Sequence, residues 1–145
     1  MKNIQKLKAD FLAMYDDSLN HGDFESTLAL CEPDAAFHGP NGIVAGTDAI
    51  IDLIKAQRAA FDDFQYEVEF IFASEEGIGL ITCTRGRHMR PLFGIPGSGQ
   101  YVEIRGMSIH KILNDRSTGG WTCSKFKETL QEAYENACKE NSLPD

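Results

Sequence analysis

Long hydrophobic runs are missing from this 145-residue chain. Nowhere does it offer the ~18 consecutive apolar residues that a membrane-spanning helix needs. Its opening, Met1 to Asp10, carries lysines with no apolar stretch behind them, so no secretory leader is indicated and a cytoplasmic location is expected. Basic charge is scarce as well: 14 Lys and Arg stand against 22 Asp and Glu, a net charge of −8. Such a chain repels phosphate backbones, and nowhere do basic residues cluster with interleaved aromatics, which argues against nucleic acid or an acidic membrane as partner. The four cysteines, Cys31, Cys83, Cys123 and Cys138, contain no CxxC pair. Neither a disulfide scaffold nor a zinc finger is indicated, and reduced, mostly buried thiols are expected. Repeats, low-complexity runs and linkers are absent too, while 42% hydrophobic and 25% charged residues fit one folded domain.

What is present is periodicity. Ile4, Leu7, Phe11, Met14/Tyr15 and Ser18/Leu19 recur at steps of three and four, which predicts an amphipathic helix over residues 3–20, stopped by Asn20-His21-Gly22-Asp23. Asp23 is placed to cap a short second helix, Phe24 to Cys31, ended by Pro33-Asp34. A short strand, Ala35 to His38, precedes the turn chemistry of Gly39-Pro40-Asn41-Gly42 and a connecting loop. Thr47 then reads as the cap of a third helix that carries Ile50, Leu53/Ile54, Gln57 and Ala60/Phe61 on one face and ends near Asp62-Asp63. Beyond it the pattern turns to antiparallel strands: Tyr66 to Phe72, Ile78 to Arg87, Tyr101 to Leu113 and Trp121 to Ser124. A loop from Leu92 to Gln100 and a turn from Asn114 to Gly120 separate the later ones. Phe126, Leu130, Ala133/Tyr134 and Ala137 mark a closing helical segment, and the tail Asn141 to Pro144 is expected to fray. Helices followed by a curved sheet define an α+β domain whose sheet wraps over the helices and encloses a pocket.

The most specific stretch joins Gly86-Arg87-His88, Leu92, Gly94-Ile95-Pro96, Gly99, Val102, Gly106-Met107-Ser108-Ile109 and Lys111-Ile112, a strand end, a GxPxxG loop and a following strand. With Asn20-His21-Gly22-Asp23, Pro33-Asp34, His38, Pro40, Gly46 and Ala49-Ile50, it resembles the SnoaL-like polyketide cyclase branch of the NTF2-like superfamily, related to ketosteroid isomerase. The resemblance covers roughly residues 5–135. It implies a single domain over residues 1–145, with three N-terminal helices packed as a cone in a strongly curved antiparallel sheet and a C-terminal helical segment after it. It also implies a homodimer formed through the outer face of the sheet and no cofactor. Chemistry does not follow from fold, so the pocket positions are read one by one.

The resemblance puts the polyketide cyclases' aspartate on Thr122 and their pocket histidine on Ser108. Against ketosteroid isomerase, Tyr15 falls on the tyrosine that donates to an enolate oxygen, Gly39 on the base and Ser108 on the second donor. Neither threonine, serine nor glycine replaces a carboxylate base. His110 shares the strand face of Ser108 by the period of two, and an imidazole that titrates near 6.5 suits proton abstraction beside a carbonyl. Tyr15, Ser108 and Thr122 would then donate to the oxyanion. The same histidine also suits a polar cavity wall that does not react. Three functions therefore stand: a cofactor-independent isomerase, cyclase or dehydratase acting by proton transfer on a carbonyl-bearing ring compound, a non-catalytic ligand-binding or accessory dimer that lost the acid/base residues, or a scaffold dimer with a filled interior.

Further ligand-lining candidates are Phe37, Phe93, Trp121 and His38, although strict alternation turns His38 away from the pocket unless the Gly39-Pro40 turn distorts the strand. His38, His88, His110 and Cys83 come from distant strands without a paired motif, so no metal is expected. Arg85, Arg87 and Arg90 either meet a ligand carboxylate or pair with acids such as Glu103. The Gly94 to Gly99 loop lacks the lysine and strand-to-helix context of a phosphate loop and reads as a pocket rim or dimer element. Lys125 reads as an exposed lysine opening the last helix.

Overall fold

The computed structural model describes residues 3–142. The expectations for Met1-Lys2 and for Leu143-Pro144 lie outside the described residues. Helix α1 (Ile4–Tyr15) is capped by Asn3, whose side chain accepts from the Lys6 amide, and buries Leu7, Phe11 and Met14. It runs on into a π-helical turn, Asp16–Asn20, that fills the rest of the expected segment. The short helix α2 (Glu25–Leu30) follows, with the Asp23 carboxylate accepting from the Glu25 amide at 3.1 Å.

Strand β1 (Cys31–Gly39) is longer than its alternation predicts, and the residues expected to form a connecting loop pair with it as β2 (Gly42–Ala45). Helix α3 (Thr47–Ala60) is not capped by Thr47 as expected. Gly46 takes that place with φ +95, and the Thr47 hydroxyl instead donates to the Glu32 carbonyl at 2.6 Å. The remaining strands are β3 (Phe61–Ala73), β4 (Gly77–His88), β5 (Tyr101–Leu113) and β6 (Arg116–Ser124). Helix α4 (Phe126–Ser142) is the last element among the described residues, taking Asn141 and Ser142 out of the expected frayed tail.

The six strands form one sheet in the order β2-β1-β6-β5-β4-β3. It is not wholly antiparallel: β1 lies parallel to β6, with His38 opposite Trp121. Along β5, Val102, Ile104, His110 and Ile112 are buried while Tyr101, Glu103, Met107 and Ile109 are exposed, so even-numbered residues face the concave side. Two apolar clusters cover that side. One gathers Leu7, Phe11 and Met14 of α1 over Ile78, Leu80 and Ile112. The other sets Leu130 of α4 against Phe61, Leu92, Ile95 and Ile104.

A bulge in β6 breaks the alternation. His110 pairs with Gly120, yet Ile112 pairs with Ser117, so β6 spends one residue more than β5 over that span. The extra residue turns Ser117 to the concave side, where it is fully buried. Gly119 makes the bulge possible, because it holds φ +108 and a Cβ there would stand 2.2 Å from the Ala36 carbonyl oxygen.

Candidate functional site

Between the two clusters the sheet and helices enclose a cavity of about 390 Å³. Met14, Leu19, Phe37, Ile54, Ile104 and Phe126 supply apolar wall, contributed by α1, the π-helical turn, β1, α3, β5 and α4. Polar side chains are interspersed with them, Tyr15, Tyr66, Ser108, His110 and Thr122 as well as Gln57, Thr82 and Thr84. No Asp or Glu appears in the described lining, and its one lysine, Lys127, stands 5.3 Å from the Phe93 ring centre at the cavity edge.

His110 is the most constrained of these groups. Its ring is met edge-on by Phe37 at 4.9 Å and Phe11 at 5.3 Å between ring centres. Nε2 lies 2.6 Å from the Tyr15 hydroxyl and Nδ1 lies 2.7 Å from the Ser117 hydroxyl, so both ring nitrogens are engaged. Burial among these groups lowers the imidazole from 6.5 to about 4, which leaves it neutral at physiological pH. Tyr15 responds to burial in the opposite direction, its phenol held well above 10 and hence protonated. The Tyr15 ring stacks on Tyr66 at 5.8 Å, nearly parallel, and burial drives the Tyr66 phenol up to about 12.

The π-helical turn aligns this pair. Asn20, its last residue, donates to the Tyr66 carbonyl at 2.8 Å and accepts from the Tyr66 amide at 2.8 Å, tying the end of the first helix to β3 as a neighbouring strand would. Ser18 bonds back to the Met14 carbonyl at 2.8 Å within the same turn. Tyr15 is thereby fixed on one side by packing on Tyr66 and on the other by His110.

The structure brings Tyr15, His110, Ser108, Thr122, Phe37 and Phe93 to one cavity. Ser108 and Thr122 are direct partners across β5 and β6 and face the same way. Gly39 lies beside them: a Cβ there would sit 3.1 Å from the Thr122 hydroxyl. Phe93 reaches the cavity from a two-residue turn between Leu92 and Ile95, where it adopts φ +55 and the next residue, Gly94, φ +75. His38 and Trp121 are not brought there. They are neighbours on the convex face, their rings 6.4 Å apart, because β1 keeps its alternation up to the turn. Arg85 bonds Glu67 and Glu103 on that convex face, and Arg90 bonds Asp62. His88 packs on Phe61 in the second cluster, far from His38 in setting, and among the described residues no three His, Cys, Asp or Glu side chains converge.

Sequence reasoning missed Ser117, Asn20 and Tyr66 as parts of this arrangement. Ser117 lay in a stretch read as a turn, and only the bulge turns it inward. Asn20 was legible only as a helix stop.

The described residues thus form an α+β cone in which a tyrosine–histidine pair meets a cavity of mixed polar and apolar lining. The SnoaL-like polyketide cyclase family matches residues 9–132, and the chain belongs to that family, within the NTF2-like superfamily. Among solved structures, the SnoaL-like protein of Jannaschia sp. CCS1 superposes with TM-score 0.80 at 14% identity, covering 99% of this chain and 98% of that one. AclR from Streptomyces galilaeus superposes with TM-score 0.74 at 20% identity, covering 99% of this chain and 89% of its own. IdmH from Streptomyces antibioticus gives TM-score 0.73 at 20% identity, with 90% and 99% covered. At these identities the likeness speaks for the fold. Comparison with curated proteins found no match.

Proposed function

We propose that this chain binds a flat, carbonyl-bearing ring compound in the cavity, with the carbonyl oxygen on the Tyr15 hydroxyl, and promotes enolisation of that compound without a cofactor. The observation that carries the reading is a protonated, immobilised Tyr15 backed by a buried neutral His110 in a cavity wall of mixed apolar and uncharged polar side chains. A hydrogen bond from a donor held in place beforehand stabilises a developing enolate more than it stabilises the ketone, which is what lowers a barrier. His110 serves behind Tyr15 rather than as the free base its sequence position suggested, since both its nitrogens are engaged. Ser108 and Thr122 supply further hydrogen bonds along the ligand. With no carboxylate in the described lining, the proton passes to water or to a basic group of the ligand itself.

That same missing carboxylate favours the second reading, a binding protein that retains the pocket without turnover. 1-Tetralone, a ring ketone with exchangeable α-protons, separates the two. Saturation binding together with faster α-deuteration in heavy water, lowered about 10²-fold by Tyr15→Phe, supports enolisation. Binding without faster deuteration supports the binding protein, and absence of binding by 1-tetralone and related ring ketones sinks both.

We also propose that a second copy covers the convex face of the sheet. Phe70, Ile81 and Met107 form one row across β3, β4 and β5, and Phe72, Ile109 and Trp121 form another. Phe70, Phe72 and Met107 are each more than half exposed, at 56%, 58% and 57%. An apolar face of that continuity is costly to leave in water. Beside it, Arg85 and Arg105 interleave with Glu67, Glu69 and Glu103, giving the face a polar border.

A further inference from the structure

The hydroxyl of Ser117 has two partners, and their chemistry dictates where its proton lies. The Gly119 amide donates to it at 3.2 Å, and His110 Nδ1 is 2.7 Å away. An amide N–H can only donate, so the oxygen already acts as acceptor there, and its own hydrogen needs an acceptor of its own. Ser117 is fully buried and does not line the cavity, so cavity water does not reach it. Among its bonds, His110 Nδ1 is the acceptor available.

We infer that Ser117, held by the Gly119 amide, fixes His110 as the Nε2–H tautomer, so that His110 donates to the Tyr15 oxygen and Tyr15 turns its own proton into the cavity. With the other tautomer, Nδ1–H would point at Ser117, the serine hydrogen would be buried without an acceptor, and the Tyr15 proton would be consumed on Nε2. Tyr15 would then offer a ligand only an oxygen lone pair. The order of donors thus decides which ligand group meets Tyr15: an acceptor oxygen, such as that of a ketone, quinone or enolate, is selected there over an N–H or O–H. Each bond in the chain Ser117 to His110 to Tyr15 to ligand polarises the next, which strengthens the terminal donor. Ser117 is accordingly a positioning residue, acting through His110 and Tyr15 without touching ligand. This inference rests on the cavity being the ligand site, and its decisive test does not.

That test uses ligand-free, full-length protein. Long-range proton–nitrogen correlation of the histidine rings at neutral pH is expected to show His110 with a pyrrole-type Nε2 and a pyridine-type Nδ1. A pyrrole-type Nδ1 overturns the inference, whatever the variants do. In Ser117→Ala the single tautomer is expected to give way to a mixture, and Ser117→Thr, which keeps the hydroxyl, to restore it. A pure Nε2–H form in Ser117→Ala removes Ser117 from the role. With 1-tetralone as probe, the carbonyl stretch of the bound ketone is expected to move to lower frequency in the wild type. In Ser117→Ala it returns toward the unbound value, with affinity about tenfold weaker, the size of one hydrogen bond. If the tautomer is as inferred and 1-tetralone does not bind, it is the ligand reading that fails.

Discussion

Acid should weaken this fold through one histidine, by an amount the structure lets one work out. The His110 imidazole titrates near 6.5 when exposed and at about 4 in its buried place between Phe11, Phe37 and Tyr15. Between those two values the unfolded chain takes up a proton that the folded one refuses, so stability falls as pH falls. The contribution is fully present above 6.5, is lost progressively below it and levels off once pH drops under about 4. At about 1.4 kcal/mol per pH unit the full loss is about 3 kcal/mol, of which about 2 kcal/mol is gone between about pH 7.5 and about pH 5. That upper window matters because ordinary carboxylates titrate mostly below it. Urea unfolding of wild type and His110→Gln at both ends of the window is the assay. The wild type should lose about 2 kcal/mol more than the variant. His88, whose imidazole burial also lowers, stays in both proteins and cancels in the comparison. An equal loss in both proteins would refute the argument that His110 is held neutral by the fold.

Two other perturbations follow from particular contacts. Gly119→Ala would force a side chain into φ +108 and against the Ala36 backbone, so it should cost at least about 3 kcal/mol in urea unfolding; a loss under about 1 kcal/mol would mean the bulge relaxes freely. Met107→Lys, a charge placed in the middle of the exposed apolar row, should raise the dissociation constant of the dimer at least about tenfold by sedimentation, and a wild type that sediments as a monomer contradicts the dimer outright.

The strands with period-two patterning and the helices with regular apolar steps were legible because local pattern and tertiary burial agree in them. β5 is the clearest case: Ser108 and His110 lie on the concave face that alternation assigns them. Legibility ends where neighbours distant in sequence decide. Residues 42–45 lack a strand's alternating face, and they become β2 only because β1 offers them an edge. Cys31 to Asp34 read as a helix end, yet β6 draws that segment into the sheet from more than eighty residues away, Cys31 lying opposite Ser117. The site was legible to the extent that it sits on regular elements, as Tyr15 and His110 do. Ser117 was hidden because a bulge reverses alternation, and a glycine with positive φ leaves only a weak trace in the sequence. Trp121 and His38 show the converse. Their aromatic character suggested a cavity, while their parity, read strictly, already pointed outward.

The parallel seam between β1 and β6 also orders events in time. Strands β3, β4 and β5 are consecutive in the chain and neighbours in the sheet, so they can pair as soon as residues 61–113 exist. The β1–β2 hairpin, made much earlier, finds its other sheet neighbour only in β6, at residues 116–124. Contacts of such sequence separation form late, since loop closure must be met before they return anything. Phe37, Gly39 and Val44, which wall one side of the cavity, therefore wait for β6. The nascent chain holds a meander and an unattached hairpin until β6 joins them, whereas the bond between His110 and Ser117 lies within the β5–β6 pair itself and does not wait for β1.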